Sequence, residues 1–539
     1  MTEQRFDYII VGAGSAGCVL ADRLSADGRH TVCLIEAGGR DDSIWLRIPL
    51  AVGRALMEER LIWSSQTEPE PELHGNRIQW PSGRVLGGSS SVNGMLFVRG
   101  HPSKYDEWRD AGCPGWGYED VLPYFRRLED CAFGDPGLRG RGGPISVSRP
   151  AADPLTEGFI AACEEQGIPR TEDYNDRRAE GVARLQYSVG RGLRRSAARG
   201  YLAPARSRSN LQVLTDALVT GVRIAGGRAT GVRYRRAGAR FEVAAVREVL
   251  LSAGAVRSPQ LLELSGIGDA RRLQALGVAV ARDVPAVGEN LQDHLMTRIA
   301  YECTQPLTVN DLVRDRWRMA LALARYALRR DGFFATPSLT ATAYARTREG
   351  LRAPDVRLQL GLASGTGRLS ISRETGLDSH SGFHMGSYVL YPRSRGATHA
   401  DSLDPGEQPK IRANYLADAL DRETSVRAMK LLRAIASRGP LARFIVREAR
   451  PADKARTDEE ILDYVRSTGQ TCWHPSGTCR MGSDERAVVA PDLKVRGIDG
   501  LRVVDASVMP FLVSSNTNIP VIMIAEKAAD LIRADPAAR

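Results

Sequence analysis

The chain has 539 residues, 43% of them apolar and 26% charged, values that suit a folded protein of about two domains and exclude a disordered scaffold. Its net charge of +10 is carried by arginine, with only six lysines, and is scattered among 64 acidic residues instead of forming a stripe, so nucleic acid is not an expected partner. No apolar run reaches the length of about 18 residues that a membrane span needs, no secretory signal opens the chain, and eight irregularly spaced cysteines make no disulfide framework, so a cytoplasmic protein with reduced thiols is expected.

In chain order, FDYIIVG at 6–12 reads as a buried strand, the following AGSAGCVLADRLSADG as a helix stopped by Gly28, and HTVCLIEAGG as a second strand ending in Glu36. This strand, helix, strand unit predicts a parallel, doubly wound sheet. Between them, Gly12, Gly14 and Gly17 fit the G-x-G-x-x-G fingerprint, with Ser15 at the helix start. Such glycines let the backbone approach a pyrophosphate, and the helix N-terminus offers it unpaired N–H groups. Glu36, 22 residues after Gly14, is placed to accept from an adenosine ribose and argues against a ribose phosphate. The fingerprint alone does not separate NAD from FAD.

Pro81 to Gly100 is rich in glycine and serine and reads as one long loop. The arginine-rich RGLRRSAAR, Arg191 to Arg199, reads as a solvated surface segment, or more sharply as a local anion site. Residues 211–256 alternate around Gly226 and Gly227 as a meander that returns to the parallel sheet. Residues 311–330 read as one amphipathic helix with a basic face, which fits the protein surface better than a membrane. Near the C-terminus, Cys472, His474 and Cys479 crowd together, but they lack a paired C-x-x-C and further ligands at metal spacing, so no metal site is expected. Asn518, two residues before Pro520, reads as the N-cap of a last helix.

Two long segments, GRVLGGSSSVNGMLFVRGHPSKYDEW (Gly83 to Trp108) and GAVRSPQLLELSGIG (Gly254 to Gly268), resemble the two signature segments of the glucose-methanol-choline (GMC) oxidoreductases. The resemblance continues through VGENLQDH, HPSGTCRMG, LRVVDASVMP and SSNTNIPVIMIAEKAAD, and is weakest between about residues 300 and 460. It implies a Rossmann-like FAD-binding domain with a doubly wound parallel sheet, at 1–153, 197–300 and 470–539. It also implies an α+β substrate domain with an antiparallel sheet, at 154–196 and 301–469.

The implied cofactor is FAD. Its expected contacts, besides the fingerprint residues and Glu36, are Trp63, Arg84, Gly88, Asn93, Gly94, Met95, Leu96, Val219, Asp505, Ala506 and Ile519. Val92 stands where some members carry a histidine joined covalently to the flavin, so the FAD is expected to be non-covalent. His474 falls at the family's active-site histidine and is expected to be the base, while Asn518 is expected to hold the substrate oxygen, as in the choline-dehydrogenase-like members. Cys472 and Cys479 then fall to packing, Trp473 to the pocket wall or the core, and His294 to structure or the site lining. The implied reaction is oxidation of a primary alcohol to an aldehyde, as a dehydrogenase or an oxidase, with oxygen or another electron acceptor. The alternative within the family is a hydroxynitrile lyase that keeps FAD without net redox chemistry.

Overall fold

In the computed structural model, which describes residues 4–366 and 376–535, two seven-stranded sheets organise the chain. Ile9, Ile10 and Val11 leave no polar face on the first strand, Arg5–Val11, and such a strand is stable only between helices in a parallel sheet. It lies between Val32–Ile35 and the end of Ala239–Leu251, with Leu211–Leu214 beyond one and Leu501–Val503 beyond the other, all parallel. The long strand Ala239–Leu251 carries the predicted meander, since its first half pairs antiparallel with Arg228–Arg236 and that with Ala217–Ala225.

The helix Ser15–Ser25 follows the first strand directly, because Gly12 turns the chain with φ +99°. At Gly17 a Cβ would stand 1.9 Å from the carbonyl oxygen of Gly12, so only glycine lets helix and turn touch. Across this helix lies the last one, Asn518–Ala534.

The second sheet is antiparallel and runs Ile445–Arg450, Leu295–Cys303, Gly382–Val389, Val356–Gly361, Leu339–Ala345, Gly181–Arg184, with Gln470–Thr471 added beside Leu295 and Met296. Met429, Leu432 and Ile435 of the helix Ala419–Ala436 pack with Ile299, Leu358 and Met385 of the sheet in a second core.

Four expectations change. The expected division after residue 300 cuts the strand Leu295–Cys303, and Gln470–Thr471 belongs to the second sheet. Leu73, Ile78 and Trp80 lie in the second core, although they precede residue 153, because Glu70 accepts the Ala413 N–H at 2.8 Å and Trp80 Nε1 donates to the Tyr415 hydroxyl at 3.2 Å. The helix expected at 311–330 is two, Val309–Arg314 and Arg316–Arg329, because the Asp315 carboxylate caps the second by accepting from the N–H groups of Trp317 and Arg318. The glycine-rich stretch from Pro81 is not all loop: it leaves a strand, Gln79–Gly83, and contains the helical turn Ser89–Val92.

Candidate active site

The ends of the first sheet and one face of the second enclose a cavity of about 770 Å³. At one end of its wall are Gly12, Gly14, Ser15 and Glu36. The Glu36 carboxylate accepts the N–H groups of Ala13 at 2.8 Å and Gly38 at 2.9 Å, and burial pushes its pKa up to about 7. It thus fixes the fingerprint turn, with further lone pairs left for a ribose.

Along the wall follow Trp63, Gly88 and Val219, then Val92, Asn93, Gly94, Met95 and Leu96, with Asp505 and Ala506. Gly254 has φ +86° on the same wall, and a Cβ there would meet no protein atom within 4 Å. Such a bare strip of backbone is what a flat cofactor needs, so the residues present fit FAD. Three expected contacts stand behind the wall. Gly17 packs the helix on its turn, Ile519 is fully buried in the first core, and the Arg84 guanidinium lies 4.6 Å from the Trp63 ring centroid, with Arg257 at 4.2 Å from the same centroid.

The Asn93 loop is held from a place the sequence did not suggest. Arg194, in the arginine-rich run read as surface or anion site, is buried and donates to Leu46 O, Ser90 O and Asn93 Oδ1 at 3.0, 3.2 and 2.9 Å. The same Asn93 oxygen accepts the Met95 N–H at 2.9 Å, which bends Met95 to φ +59°. Asp505 serves the main chain, accepting from Gly254 N–H, the Ser258 hydroxyl and Ser507.

Beyond this loop the cavity reaches His474. Its Nδ1 lies 2.9 Å from Nδ1 of His294, and its Nε2 lies 2.8 Å from Nδ2 of Asn516. The tautomers follow from the far end of this chain. His294 Nε2 is 2.9 Å from the Leu390 carbonyl, which can only accept, so Nε2 carries the proton and Nδ1 of His294 accepts. His474 must then donate through Nδ1, and its Nε2 keeps a lone pair to which the Asn516 amide donates. The amide itself is oriented by Arg357, whose Nη1 donates to Asn516 Oδ1 at 2.5 Å. Burial, then His294, then Arg357 hold the His474 pKa well below the usual histidine value, and burial takes that of His294 down to about 4. Both rings are neutral at pH 7. Asp293 fixes the main chain beside them, accepting His474 N–H at 2.7 Å and the hydroxyls of Thr471 and Tyr415.

Asn518 is therefore not the neighbour of His474. Its Oδ1 accepts from the Ser15 hydroxyl at 2.7 Å, at the fingerprint turn, and it is the first residue of the last helix, with Thr517 at the cap position. Its partial positive end does face the cavity, through Thr517, Asn518 and Val521. The run SSNTN holds two asparagines, and spacing alone does not tell which one meets a residue 42 positions away. Trp473 lines the cavity at φ +60°, Cys479 is buried, and no group of three metal-ligating side chains gathers among the described residues. Of the remaining histidines, His101 caps the helix Pro102–Asp110, His384 lies on the cavity wall, and His399 bridges Glu263 and Glu289.

Two family models, both described as GMC oxidoreductase, match residues 6–296 and 392–525. The chain belongs to the GMC oxidoreductase family. It is 42% identical to the oxygen-dependent choline dehydrogenase of Photobacterium profundum, over 98% of this chain and 93% of that protein. The oxygen-dependent choline dehydrogenase of Vibrio vulnificus is 40% identical over 98% and 94%. Among solved structures, pyridoxine 4-oxidase from Mesorbium loti superposes with a TM-score of 0.88 at 32% identity, covering 98% and 99% of the two chains. A formate oxidase gives 0.92 at 26% identity, covering 99% of each. Like other members of the GMC family, the chain is an FAD-dependent oxidoreductase acting on CH–OH donors, and every relative named here bears the name of a redox enzyme, so nothing favours the lyase alternative.

Proposed function

We propose that the protein oxidises a primary alcohol to an aldehyde, with His474 as the base, Asn516 as the residue that orients the alcohol oxygen, and FAD bound without a covalent link. The observation that carries this reading is the donor chain from His474 through His294 to the Leu390 carbonyl, which leaves the His474 Nε2 lone pair beside Asn516 at the cavity wall. An alcohol gives up hydride poorly while its O–H is intact, so a base must take that proton as the carbinol carbon loses hydride and the C=O bond forms. Bound FAD supplies the hydride acceptor, and oxygen or another acceptor later takes the electrons.

A neutral His474 can accept the hydroxyl proton at Nε2 without first losing one. The Asn516 N–H points at the same spot and can turn to the alcohol oxygen, since Arg357 anchors the other end of the amide. The Arg357 charge that disfavours an imidazolium also favours negative charge growing on the oxygen. Val92, on the wall of the flavin-side loop, has no atom that could bond a cofactor, which supports non-covalent FAD. Eight cysteines outside any disulfide support a cytoplasmic site, for which recovery in the soluble cytoplasmic fraction is the check.

The test is His474→Ala. The variant should keep its FAD but reduce it with alcohol about 100-fold or more slowly in anaerobic stopped flow, a general-base loss. In the wild type the acid limb of kcat/KM should fall below about pH 6.5, since the base form persists until pH drops through a depressed pKa. Bleaching at near wild-type speed in the variant would remove His474 from the mechanism.

A further inference from the structure

The substrate side of the cavity carries a cation that no carboxylate among the described residues balances. On the strand Leu295–Cys303, Met296, Arg298 and Ala300 point to the cavity, while Ile299 and Tyr301 turn into the second core. Among the described residues the Arg298 guanidinium makes no hydrogen bond and no ion pair, and its Nε is buried without a partner. The other substrate-side arginines are engaged. Arg450 pairs with Asp378 at 2.6 Å, and Arg357 donates to Thr342, Tyr388, Ser515 and Asn516.

Only two carboxylates line the cavity among the described residues, Glu36 and Asp505, and both are occupied by main-chain N–H groups at the cofactor side. The Arg298 side chain is half-buried at the cavity wall, where its inner Nε has lost water without gaining a partner, and such a cation implies a ligand that arrives with the missing charge. We propose that Arg298 binds a carboxylate on the substrate, so that the alcohol oxidised here is a hydroxymethyl compound with a carboxylate at its far end.

Three observations fix the class. Arg298 lies four residues after His294, about 13 Å along an extended chain, and its long side chain shortens that gap, so hydroxymethyl and carboxylate are separated by a ring or a short chain. A planar fork with one charge matches a carboxylate in two parallel hydrogen bonds. Trp473 on the same wall gives an aromatic ring a partner, whereas a quaternary ammonium would meet a like charge with no carboxylate among the described residues to offset it. Burial lowers the Arg298 pKa to about 10, which still leaves it charged at neutral pH.

This inference rests on the alcohol-oxidation reading, and the experiment separates the two. Wild-type holoenzyme is mixed anaerobically with 4-(hydroxymethyl)benzoate, benzyl alcohol or choline, and flavin bleaching is followed. The carboxylated alcohol should be preferred over benzyl alcohol about 10- to 100-fold in kcat/KM, the range of a charged hydrogen-bonded pair. Arg298→Met should remove that preference through KM and leave benzyl alcohol within about threefold, and Arg298→Lys should restore part of it. Benzoate should perturb the flavin absorption of the wild type and do so more weakly in Arg298→Met, a readout that needs no turnover. Choline outperforming the carboxylated alcohol, or equal losses for both aryl alcohols in Arg298→Met, would overturn the assignment while leaving alcohol oxidation standing. Failure of every alcohol to bleach the flavin would overturn both.

Discussion

At the scale of single residues, the histidine proposed as the base is set apart by its partners rather than by its own type. His474 could sit in a core as a satisfied polar group. What distinguishes it is that Nδ1 is committed to His294 while Nε2 faces a lone amide at the cavity. Two asparagines two positions apart then play different parts, and they can be separated by experiment. Asn516→Ala should slow flavin reduction about 10- to 100-fold with FAD retained, because only the orientation of the oxygen is lost. Asn518→Ala should leave the reduction rate of the FAD-loaded fraction near wild type and weaken FAD retention, because its oxygen holds Ser15 at the nucleotide turn. The reverse pattern in stopped flow and flavin content would exchange the two roles. The SSNTN run was legible as part of the site, but the choice between its asparagines was not, since both are polar residues of equal size next to a helix start.

At the scale of elements, the last helix joins the two ends of the chain. Asn518–Ala534 presents the buried Glu526 to Arg23 of the first helix in a two-pronged contact at 3.0 and 2.8 Å, to Arg127 Nε at 2.8 Å and to the Tyr201 hydroxyl at 2.7 Å. Glu526→Ala leaves these donors facing a void. The expected loss is about 2–4 kcal/mol in urea unfolding, below the full cost of breaking a buried pair because Arg23 and Arg127 keep some contact with water. An unchanged urea midpoint would show that the helix is held by its apolar face alone. Helix existence here was readable from the sequence, because IPVIMIAEKAADLIRA has the right period after a Pro-containing start. The break at Asp315 was not, because a continuous amphipathic period spans it and only the capping carboxylate reveals it.

At the scale of the whole molecule, two sheets of opposite habit meet around one cavity. The parallel sheet contributes the strand ends that hold the nucleotide turn, and the antiparallel sheet contributes a wall whose alternate residues face the reacting end. FAD bound in this cavity would meet residues from both, so its mode of attachment is a property of the assembled protein. Acid precipitation of the yellow protein should leave the chromophore in the supernatant, as expected for Val92 at the flavin loop. A flavin retained in the pellet would mean a covalent bond from another side chain. Residues 67–80 tie the two bodies together, since they leave the first and pack in the core of the second.

The sequence by itself determined what short-range pattern can specify. The strand, turn and helix around Gly12 to Gly17 and the long signature runs reside in contiguous residues, and through the family resemblance those runs carry the cofactor class and single out His474 as the candidate base. Only the tertiary structure decided the rest. His294 stands 180 positions from His474, Arg194 stands 101 from Asn93, and Arg357 stands 159 from Asn516. Arg298 is one of 74 basic residues until the second sheet turns it into a cavity whose carboxylates, among the described residues, both lie at the cofactor side. Burial and the absence of a counter-charge are properties of packed space, and no local pattern along the chain encodes them.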